Sequence, residues 1–237
     1  MPKSTASLRR TSPAQEDYLK ALHRLSDGAE EVVPNSQLAQ EMAVSPGAVS
    51  EMLGKLATLK LIVHDPYRGA RLTPAGRRIA VEMIRHHRLI ETYLVQALGY
   101  GWDEVHDEAD RLEHSISELL EERMWQALGR PAFDPHGDPI PALDGTLVAP
   151  PTVPLASLAP GAEATISRIS DRDPARLRAV EALGLTPGRH IRLVEASTWE
   201  GPIVVALEGV AVSVPLGLAR AISVEAVAEP EAGSPGS

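Results

Sequence analysis

The sequence predicts a mainly α-helical protein that ends in a small β domain, and three observations support that fold class. Apolar residues recur at helical spacing in most segments between residues 14 and 128. Between residues 161 and 226 they alternate instead, in short runs that Gly and Pro separate. The stretch between these two parts, residues 131–160, contains eight prolines and is typical of an irregular connector.

The first segment has the order of a winged helix-turn-helix. Apolar spacing predicts a helix over residues 14–26, a short second helix that Asn35 and Ser36 open with a capping side chain, and a third helix over 48–62. The letters "LIVHDPYRGARLT" then predict a strand, a turn and a strand. In this order the third helix would enter a DNA groove while the first two support it.

Two longer helices are predicted next. Thr73 and Pro74 begin the first, with proline at the first helical position, and it runs to Gly99. The letters "WDEVHDEADRLEHSISELLEERMWQALG" predict one further helix before Gly129. Beyond the connector, the alternating runs predict a barrel or sandwich of about five strands, and the composition of the final "EPEAGSPGS" predicts disorder.

The 237 residues include no cysteine, which excludes disulfide frameworks, zinc–thiolate sites, iron–sulfur clusters and cysteine nucleophiles. Any metal must therefore be held by oxygen and imidazole ligands, which suits manganese, iron or zinc. No apolar run approaches the roughly 20 residues of a membrane span. The N-terminal segment lacks the apolar core of a secretory signal. We therefore expect a cytoplasmic protein with no membrane partner.

A net charge of −9 argues against nucleic-acid binding, but the charge is unevenly distributed. Residues 1–80 hold 11 Lys and Arg against 8 Asp and Glu, whereas residues 81–140 hold 5 against 13. Five of the eight histidines also lie in that acidic middle segment. A mildly basic segment therefore precedes one that is rich in possible metal ligands.

The start of the third predicted helix, "VSPGAVSEML", is suited to close contact with DNA. Ser45 lies at the helix start, small side chains follow, and the free amide groups of a helix N-terminus favour phosphate. The alternative is that the three helices and hairpin form a protein-interaction module whose basic residues are simply solvated. The DNA-binding residues that we predict are Ser45, Gly47, Ala48, Ser50, Glu51, Lys55 and Arg68.

The letters "VHDEADRLEH", residues 105–114, place six Asp, Glu and His side chains within ten residues. At about 100° per residue, four of them fall on one face of the predicted helix. The preceding helix carries a histidine and a glutamate as an i, i+4 pair. Two such faces could form a metal site in a helical bundle, or they could be ordinary solvated surface pairs. The residues concerned are His106, Asp110, Glu113 and His114 on one helix, and His87 and Glu91 on the other.

An enzyme is the alternative from another class. A metal-dependent hydrolase that carries a winged helix would use a bound ion to activate water. The sequence contains no Ser/His/Asp order, P-loop or GxGxxG motif that would support catalysis. We therefore expect no enzymatic activity.

Five motifs in the chain resemble the diphtheria-toxin-repressor family of metal-dependent transcriptional regulators. They are "QEDYLKALHRL", "SPGAVSEMLGKLATLKLI", "RGARLTPAGRRIA", "RHHRLIETYL" and "VHDEADRLEH". The resemblance covers residues 13 to about 120 closely, and the order of elements through 226 more loosely. It implies a winged-helix DNA-binding domain (1–73), a helical dimerisation and metal-binding domain (74–140), a Pro-rich linker (141–160), an SH3-like, FeoA-like barrel (161–228) and a disordered tail (229–237).

The resemblance also implies two metal sites. The regulatory site would take Asp17, Asp110, Glu113 and His114. The ancillary site would take His87, Glu91 and His106, with Asp173 as a ligand from the barrel.

Two departures from the resembled family bear on the metal. Iron-responsive members carry Met and Cys where this chain has Asp17 and Asp110, and carboxylates in place of sulfur favour Mn²⁺. Fe²⁺ is the second choice. Manganese-responsive members usually carry an acid where this chain has Lys20, which puts their paired-ion arrangement in doubt. The implied function is a repressor of metal-uptake genes, with the metal as corepressor ordering a homodimer for binding to double-stranded operator DNA.

Overall fold

The N-terminal part of the chain consists of three helices and a two-stranded hairpin. The computed structural model describes residues 11–26, 31–170 and 173–226. Helix α1 spans Pro13–Leu25, α2 spans Asn35–Glu41 and α3 spans Pro46–Thr58, and strand β1 (Ile62–Asp65) pairs antiparallel with β2 (Gly69–Leu72). This is the predicted order of a winged helix-turn-helix. Its core is aliphatic and includes Leu19, Leu22, Leu38, Val49, Leu53 and Leu56.

Two details of this part depend on proline and glycine. The predicted side-chain cap of α2 is wrong, because Pro34 is the N-cap residue and its φ of −62° already provides the extended turn into the helix. Gly69 has a φ of +127°, and a Cβ there would lie 2.0 Å from the carbonyl oxygen of Val33. Glycine therefore allows the backbone at Val33 to bridge β2 at Ala70.

Helix α4 spans Pro74–Leu98, as predicted, but the single helix predicted after it is two helices. Helix α5 spans Val105–Leu112 and α6 spans Glu118–Ala127. The hydroxyl of Ser117 accepts a hydrogen bond from the amide of Leu120 at 3.2 Å, which caps the start of α6. The predicted shared helix face is therefore wrong for Glu113 and His114, because both lie in the turn that follows α5.

The C-terminal part is a six-stranded antiparallel sheet in the order β3-β8-β4-β5-β6-β7. All five predicted strands are present: β4 (Glu163–Ile169), β5 (His190–Glu195), β6 (Ile203–Leu207), β7 (Val210–Val214) and β8 (Ile222–Ala226). The sequence pattern did not predict the short β3 (Val153–Pro154), the helix α7 (Pro174–Ala182) or the one-turn α8 (Leu216–Ala219). The core is again aliphatic, with Ile166, Ile191, Leu193, Val205 and Val224 buried. The predicted mainly helical chain with a small β domain is confirmed.

Residue contacts divide the chain into two compact units. The first contains the chain up to His87 together with Asp110–Glu121 and Pro141–Thr146. The second contains Arg88–Ala109, Glu122–Ile140 and the chain from Leu147. Among the described residues, no helix is both long and apolar enough to cross a membrane. The predicted disordered tail lies outside the described residues.

Candidate metal centre

Ligand-type side chains from α1 and from the turn after α5 meet within the first unit. One ligand atom each from Asp17, Glu113 and His114 lies within 4.8 Å of the other two. Glu113 is fully buried, whereas the side chain of Asp17 is 40% exposed. The structure thus brings together three of the four residues predicted for the regulatory site, and it leaves the group open to solvent on the Asp17 side.

The imidazole of His114 is oriented by a carboxylate that the sequence pattern did not predict. Its Nδ1 donates a hydrogen bond to Oε2 of the buried Glu16 at 2.7 Å, and the hydroxyl of Thr11 donates to Oε1 of Glu16 at 2.8 Å. The other ring nitrogen, Nε2, lies 3.1 Å from Oδ1 of Asp17. A ligating histidine usually donates its second N–H to a carboxylate in this way, which fixes the ring and raises its basicity.

The fourth predicted residue, Asp110, is tied to Glu113 by two shared partners. The ammonium of Lys20 donates to Asp110 Oδ1 at 2.9 Å and to the two carboxylate oxygens of Glu113 at 2.7 and 2.9 Å. His87 Nδ1 donates to Glu113 Oε2 at 2.7 Å and lies 3.2 Å from Asp110 Oδ1. Within this unit His87, predicted for the ancillary site, therefore contacts two residues predicted for the regulatory site.

The surrounding charges shift the pKa values in this group. Burial raises the pKa of Asp17, against the lowering effect of Lys20. Burial also acts to raise the pKa of Asp110, but the hydrogen bond from His87 and the charge of Lys20 outweigh it and hold that pKa well below its usual range. For Lys20, burial acts to lower the pKa, and the carboxylates of Glu113 and Asp110 raise it above its ordinary value. At neutral pH the group therefore combines an ionised Asp110 with a charged Lys20.

A second group of ligand-type side chains lies buried in the second unit. One ligand atom each from Glu91, Asp134 and His136 lies within 4.8 Å of the other two, and all three residues are buried. Glu91 Oε1 accepts a hydrogen bond from His106 Nδ1 at 3.2 Å, and its Oε2 lies 3.7 Å from His136 Nδ1. Two residues predicted for the ancillary site, Glu91 and His106, are thus brought together, and the structure adds two that were not predicted.

The segment that carries these two added residues is held in place by its own polar contacts. Asp134 Oδ1 accepts hydrogen bonds from the amides of His136 and Asp138, each at 2.9 Å. Arg88 and Arg168 both donate to Asp138 Oδ1 at 3.1 Å. These contacts form a rigid turn that aims Asp134 and His136 at Glu91.

The ring of His136 is fixed on one side and lacks a hydrogen bond on the other. Its Nε2 donates to the carbonyl oxygen of Trp102 at 2.7 Å, and the two rings stack with centroids 5.5 Å apart. Its Nδ1 is buried and makes no hydrogen bond within the described part of the chain. Burial acts to lower the pKa of His136, but the carboxylates of Glu91 and Asp134 raise it to about 9. Burial and the neighbouring Glu91 also raise the pKa of Asp134.

Both groups fit a divalent cation. Each combines carboxylate oxygens with an imidazole nitrogen, the donor set that suits Mn²⁺ or Fe²⁺. Oxygen and nitrogen ligands lie roughly 2.0–2.2 Å from ions of this size, so opposite ligands are about 4.2 Å apart. In each group the ligand atoms lie within 4.8 Å of one another, so one ion could contact all three side chains after small adjustments. In the second group, the buried Nδ1 of His136 has no hydrogen-bond partner among the described residues, and its lone pair in the neutral ring could bind a cation.

Asp173, the ligand predicted from the barrel, has a structural role. It is the N-cap of α7, and its Oδ1 accepts from the amides of Ala175 at 3.0 Å and Arg176 at 3.3 Å. Among the described residues it belongs to neither group of ligand-type side chains. Its role as a metal ligand stays a prediction.

The residues predicted to bind DNA are all exposed. Ser45 is the N-cap of α3 and its hydroxyl accepts from the amide of Ala48 at 3.3 Å. Glu51 and Lys55, one turn apart on α3, form an ion pair at 2.7 Å. Arg68 lies in the turn between β1 and β2, where its amide donates to the carbonyl of Asp65. The arrangement places one carboxylate and one ammonium on an α3 surface of small side chains.

Sequence reasoning missed Glu16, Asp134 and His136 for different reasons. Glu16 directly precedes Asp17 but contacts His114, which is 98 positions away. Asp134 and His136 lie in the proline-rich stretch, which was interpreted only as a connector. The spacing of Asp, His and Asp in "FDPHGDPI" was a signal that could have found them.

Three family profiles match consecutive parts of the chain. Residues 10–70 match "Iron dependent repressor, N-terminal DNA binding domain", and residues 73–142 match "Iron dependent repressor, metal binding and dimerisation domain". Residues 153–226 match the FeoA domain. Together these profiles cover nearly all of the described chain.

Curated relatives and solved structures agree with the profiles. The iron-dependent repressor IdeR of Mycobacterium leprae is 36% identical over 129 residues, 54% of this chain and 55% of that protein, so this match spans about half the relative's length. The diphtheria toxin repressor of Corynebacterium jeikeium is 28% identical over 90% of this chain and 96% of its own. A solved manganese-dependent transcriptional repressor in complex with manganese is 40% identical, has a TM-score of 0.81, and is matched over 90% of this chain and all of its own.

These relatives are transcriptional repressors, and none of their names describes an enzyme. The expectation of a regulator is confirmed at the level of the family, and the hydrolase alternative has no support. The chain belongs to the diphtheria-toxin-repressor family of metal-dependent transcriptional regulators.

Proposed function

We propose that this chain is a manganese-responsive repressor of metal-uptake genes that acts in the cytoplasm and binds double-stranded operator DNA as a homodimer. One observation carries the proposal. Asp17 belongs to α1, in the stretch that matches a DNA-binding domain, whereas Glu113 and His114 belong to the stretch that matches a metal-binding domain. Their ligand atoms nevertheless converge within one compact unit.

The regulatory site consists of Asp17, Asp110, Glu113 and His114 in this proposal, with His87 beside them. The absence of sulfur ligands favours Mn²⁺, and Fe²⁺ is the alternative. A manganese-bound structure 40% identical to this chain supports the same choice.

A second site consists of Glu91, Asp134 and His136, with His106 hydrogen-bonded to Glu91. Its ligands are buried, and the Asp134–Asp138 turn holds two of them in place before an ion arrives. Such a preformed site suits a structural role, in which an occupied site stabilises the second unit. His87 and Asp173 remain predicted ligands, and Mn²⁺ titrations of variants at these two positions would measure their contribution.

The mechanism links metal binding to DNA binding. A divalent cation bound there would supply positive charge that offsets the carboxylates of Asp17, Asp110 and Glu113. Asp17 would hold the ion from α1, Asp110 from α5, and Glu113 and His114 from the turn after α5, so a bound ion would fix α1 relative to α5 and that turn. Helix α1 packs in the same core as α3, the helix proposed to enter the major groove. Ordering α1 in each protomer of a dimer sets the spacing of the two recognition helices and raises DNA affinity.

The experiment that tests this function is a DNA-binding titration under defined metal conditions. Duplexes are first selected from a random-sequence pool with the Mn²⁺-loaded protein, and their affinity is measured by fluorescence anisotropy with Mn²⁺, Fe²⁺ or Zn²⁺ and after chelation. We expect binding at least tenfold tighter with Mn²⁺, and Asp110→Ala should remove most of that gain. Binding that is equal without metal, or unaffected by Asp110→Ala, contradicts the mechanism.

A further inference from the structure

Lys20 occupies the middle of the regulatory group. Its side chain is 17% exposed and reaches from α1 to the turn after α5, 93 positions along the chain from Glu113. Its ammonium donates to both carboxylate oxygens of Glu113 and to Asp110 Oδ1, at 2.7 to 2.9 Å. Glu113 has no solvent exposure, so Lys20 compensates its charge from inside the protein, and His87 adds a hydrogen bond to it.

We propose that Lys20 is a tethered cation that competes with the divalent metal for Glu113 and Asp110, and thereby sets the metal concentration at which the regulatory site fills. This inference rests on the proposed function, because it takes Asp17, Asp110, Glu113 and His114 as the metal ligands. It concerns the affinity of that site rather than the identity of its ligands.

The competition follows from position and charge. A metal ion that uses Glu113 needs at least one of the two oxygens that now accept from Lys20, and an ammonium at that distance repels a divalent cation. Lys20 is part of α1, which lies beside the site. Its effective concentration there is therefore high, and it does not vary with the concentration of ions in the cell. Its flexible four-carbon stem lets the ammonium move aside without moving α1.

The same contacts would stabilise the metal-free protein. Two carboxylates that lie close together repel each other, and a buried carboxylate without a partner is strongly unfavourable. The Lys20 ammonium offsets both effects. Removing its charge should therefore have two opposite consequences: the metal-free protein becomes less stable, and its affinity for metal rises.

The test is isothermal titration of the metal-free, full-length protein with MnCl₂. The binding event at the regulatory site is the one that disappears in the Asp17→Asn variant. For that event we expect Lys20→Met to bind Mn²⁺ about tenfold more tightly or better, because the competing charge is gone. Lys20→Arg keeps the charge and should remain within about threefold of the wild type. Lys60→Met, which removes an exposed charge just after α3, is the matched control and should not change the affinity.

Thermal unfolding with and without Mn²⁺ provides a second measurement that needs only small amounts of folded protein. Without metal, Lys20→Met should unfold at a lower temperature than the wild type, and saturating Mn²⁺ should raise its Tm by more than it raises that of the wild type. If Lys20→Met is too unstable to purify, Lys20→Gln takes its place, with the same expected result.

The outcomes separate the two proposals. If the wild type shows the regulatory-site binding event but Lys20→Met and Lys20→Gln bind Mn²⁺ no more tightly than it does, the proposed competition by Lys20 is wrong. The proposed function is then unaffected. If the wild type shows no Mn²⁺-binding event that Asp17→Asn abolishes, the proposed function is wrong instead.

Discussion

The buried carboxylate of Glu16 accepts a hydrogen bond from Nδ1 of His114 at 2.7 Å. Because this bond holds the proton on Nδ1, the lone pair of Nε2 faces Asp17 and is available to a metal. The two neighbours Glu16 and Asp17 on α1 thus serve the same site in different ways. In the proposed regulatory site, Glu16 positions His114 and Asp17 is itself a ligand.

Glu16→Ala should weaken Mn²⁺ binding at the regulatory site by roughly 10–100-fold, the range typical for partners that orient a ligating histidine. Glu16→Gln keeps a hydrogen-bond acceptor and should fall between the alanine variant and the wild type. Isothermal titration measures the change. Asp107→Asn, which alters an exposed carboxylate on α5, is the control. An affinity in Glu16→Ala equal to that of the wild type would show that His114 needs no such support.

Binding at the second group should depend on pH through His136. Its pKa of about 9 means that it carries a proton at neutral pH in the metal-free protein, and a metal must displace that proton. In an Asp17→Asn background, Mn²⁺ affinity should rise up to about tenfold per unit between pH 7 and 9, with about one proton released per ion. Titrations in buffers of different ionisation enthalpy measure the release. A pH-independent affinity excludes His136 as a ligand.

The stability of the metal-free protein should change with pH in the opposite direction. The folded-state pKa of His136 is raised from 6.5 to about 9. The stabilisation from its charged form is therefore fully present below about pH 6.5 and is lost as the pH rises through 9. Thermal unfolding of chelator-treated protein should show a Tm that falls over this range, and the fall should be smaller in His136→Gln. His190→Gln, at an exposed position, should behave as the wild type.

Glu51 should select cytosine in the operator. The residues next to it on the helix surface, Gly47, Ala48 and Gly54, have small side chains or none, and a Cβ at Gly54 would meet nothing within 4 Å. The Glu51 carboxylate therefore projects beyond its neighbours. A carboxylate in the major groove accepts from cytosine N4, whereas an amide pairs with adenine. Glu51→Gln should therefore change a C·G preference to A·T at one position of each half-site, by about 1–3 kcal/mol. Selection from a random pool measures it, with Glu31→Gln as control, and an unchanged preference contradicts the assignment.

Gly137→Ala should disrupt the second group. Gly137 has a φ of +88°, and a Cβ there would lie 1.9 Å from the carbonyl oxygen of Ser167. The strained φ and the clash should together lower the free energy of unfolding by about 2 kcal/mol or more. Gly129→Ala is a matched control: its φ of +75° is similar, but nothing lies within 4 Å of the added Cβ. It should cost only about 1 kcal/mol, so equal losses in the two variants would contradict the role of the clash.

The periodicity of apolar residues was sufficient to predict most elements, because each buries one face along its own length. It failed where a local polar contact ended an element. The Ser117 cap separates α5 from α6, and Glu113 and His114 lie in the turn between them. Helix α7 was missed because its position in a β domain gave no reason to expect a helix among alternating runs.

The sequence by itself determined the kinds of ligand this protein can offer, oxygen and imidazole without sulfur, and the order of its DNA-binding helices. It also supplied most residues of the proposed regulatory site. Only the tertiary structure decided which side chains meet: Lys20 with Glu113, Glu16 with His114, and Asp134 and His136 with Glu91. The reason is physical. Spacing along a chain reports the faces of one element, whereas contacts between residues more than forty positions apart depend on how elements pack, and that packing depends on all of the core residues together.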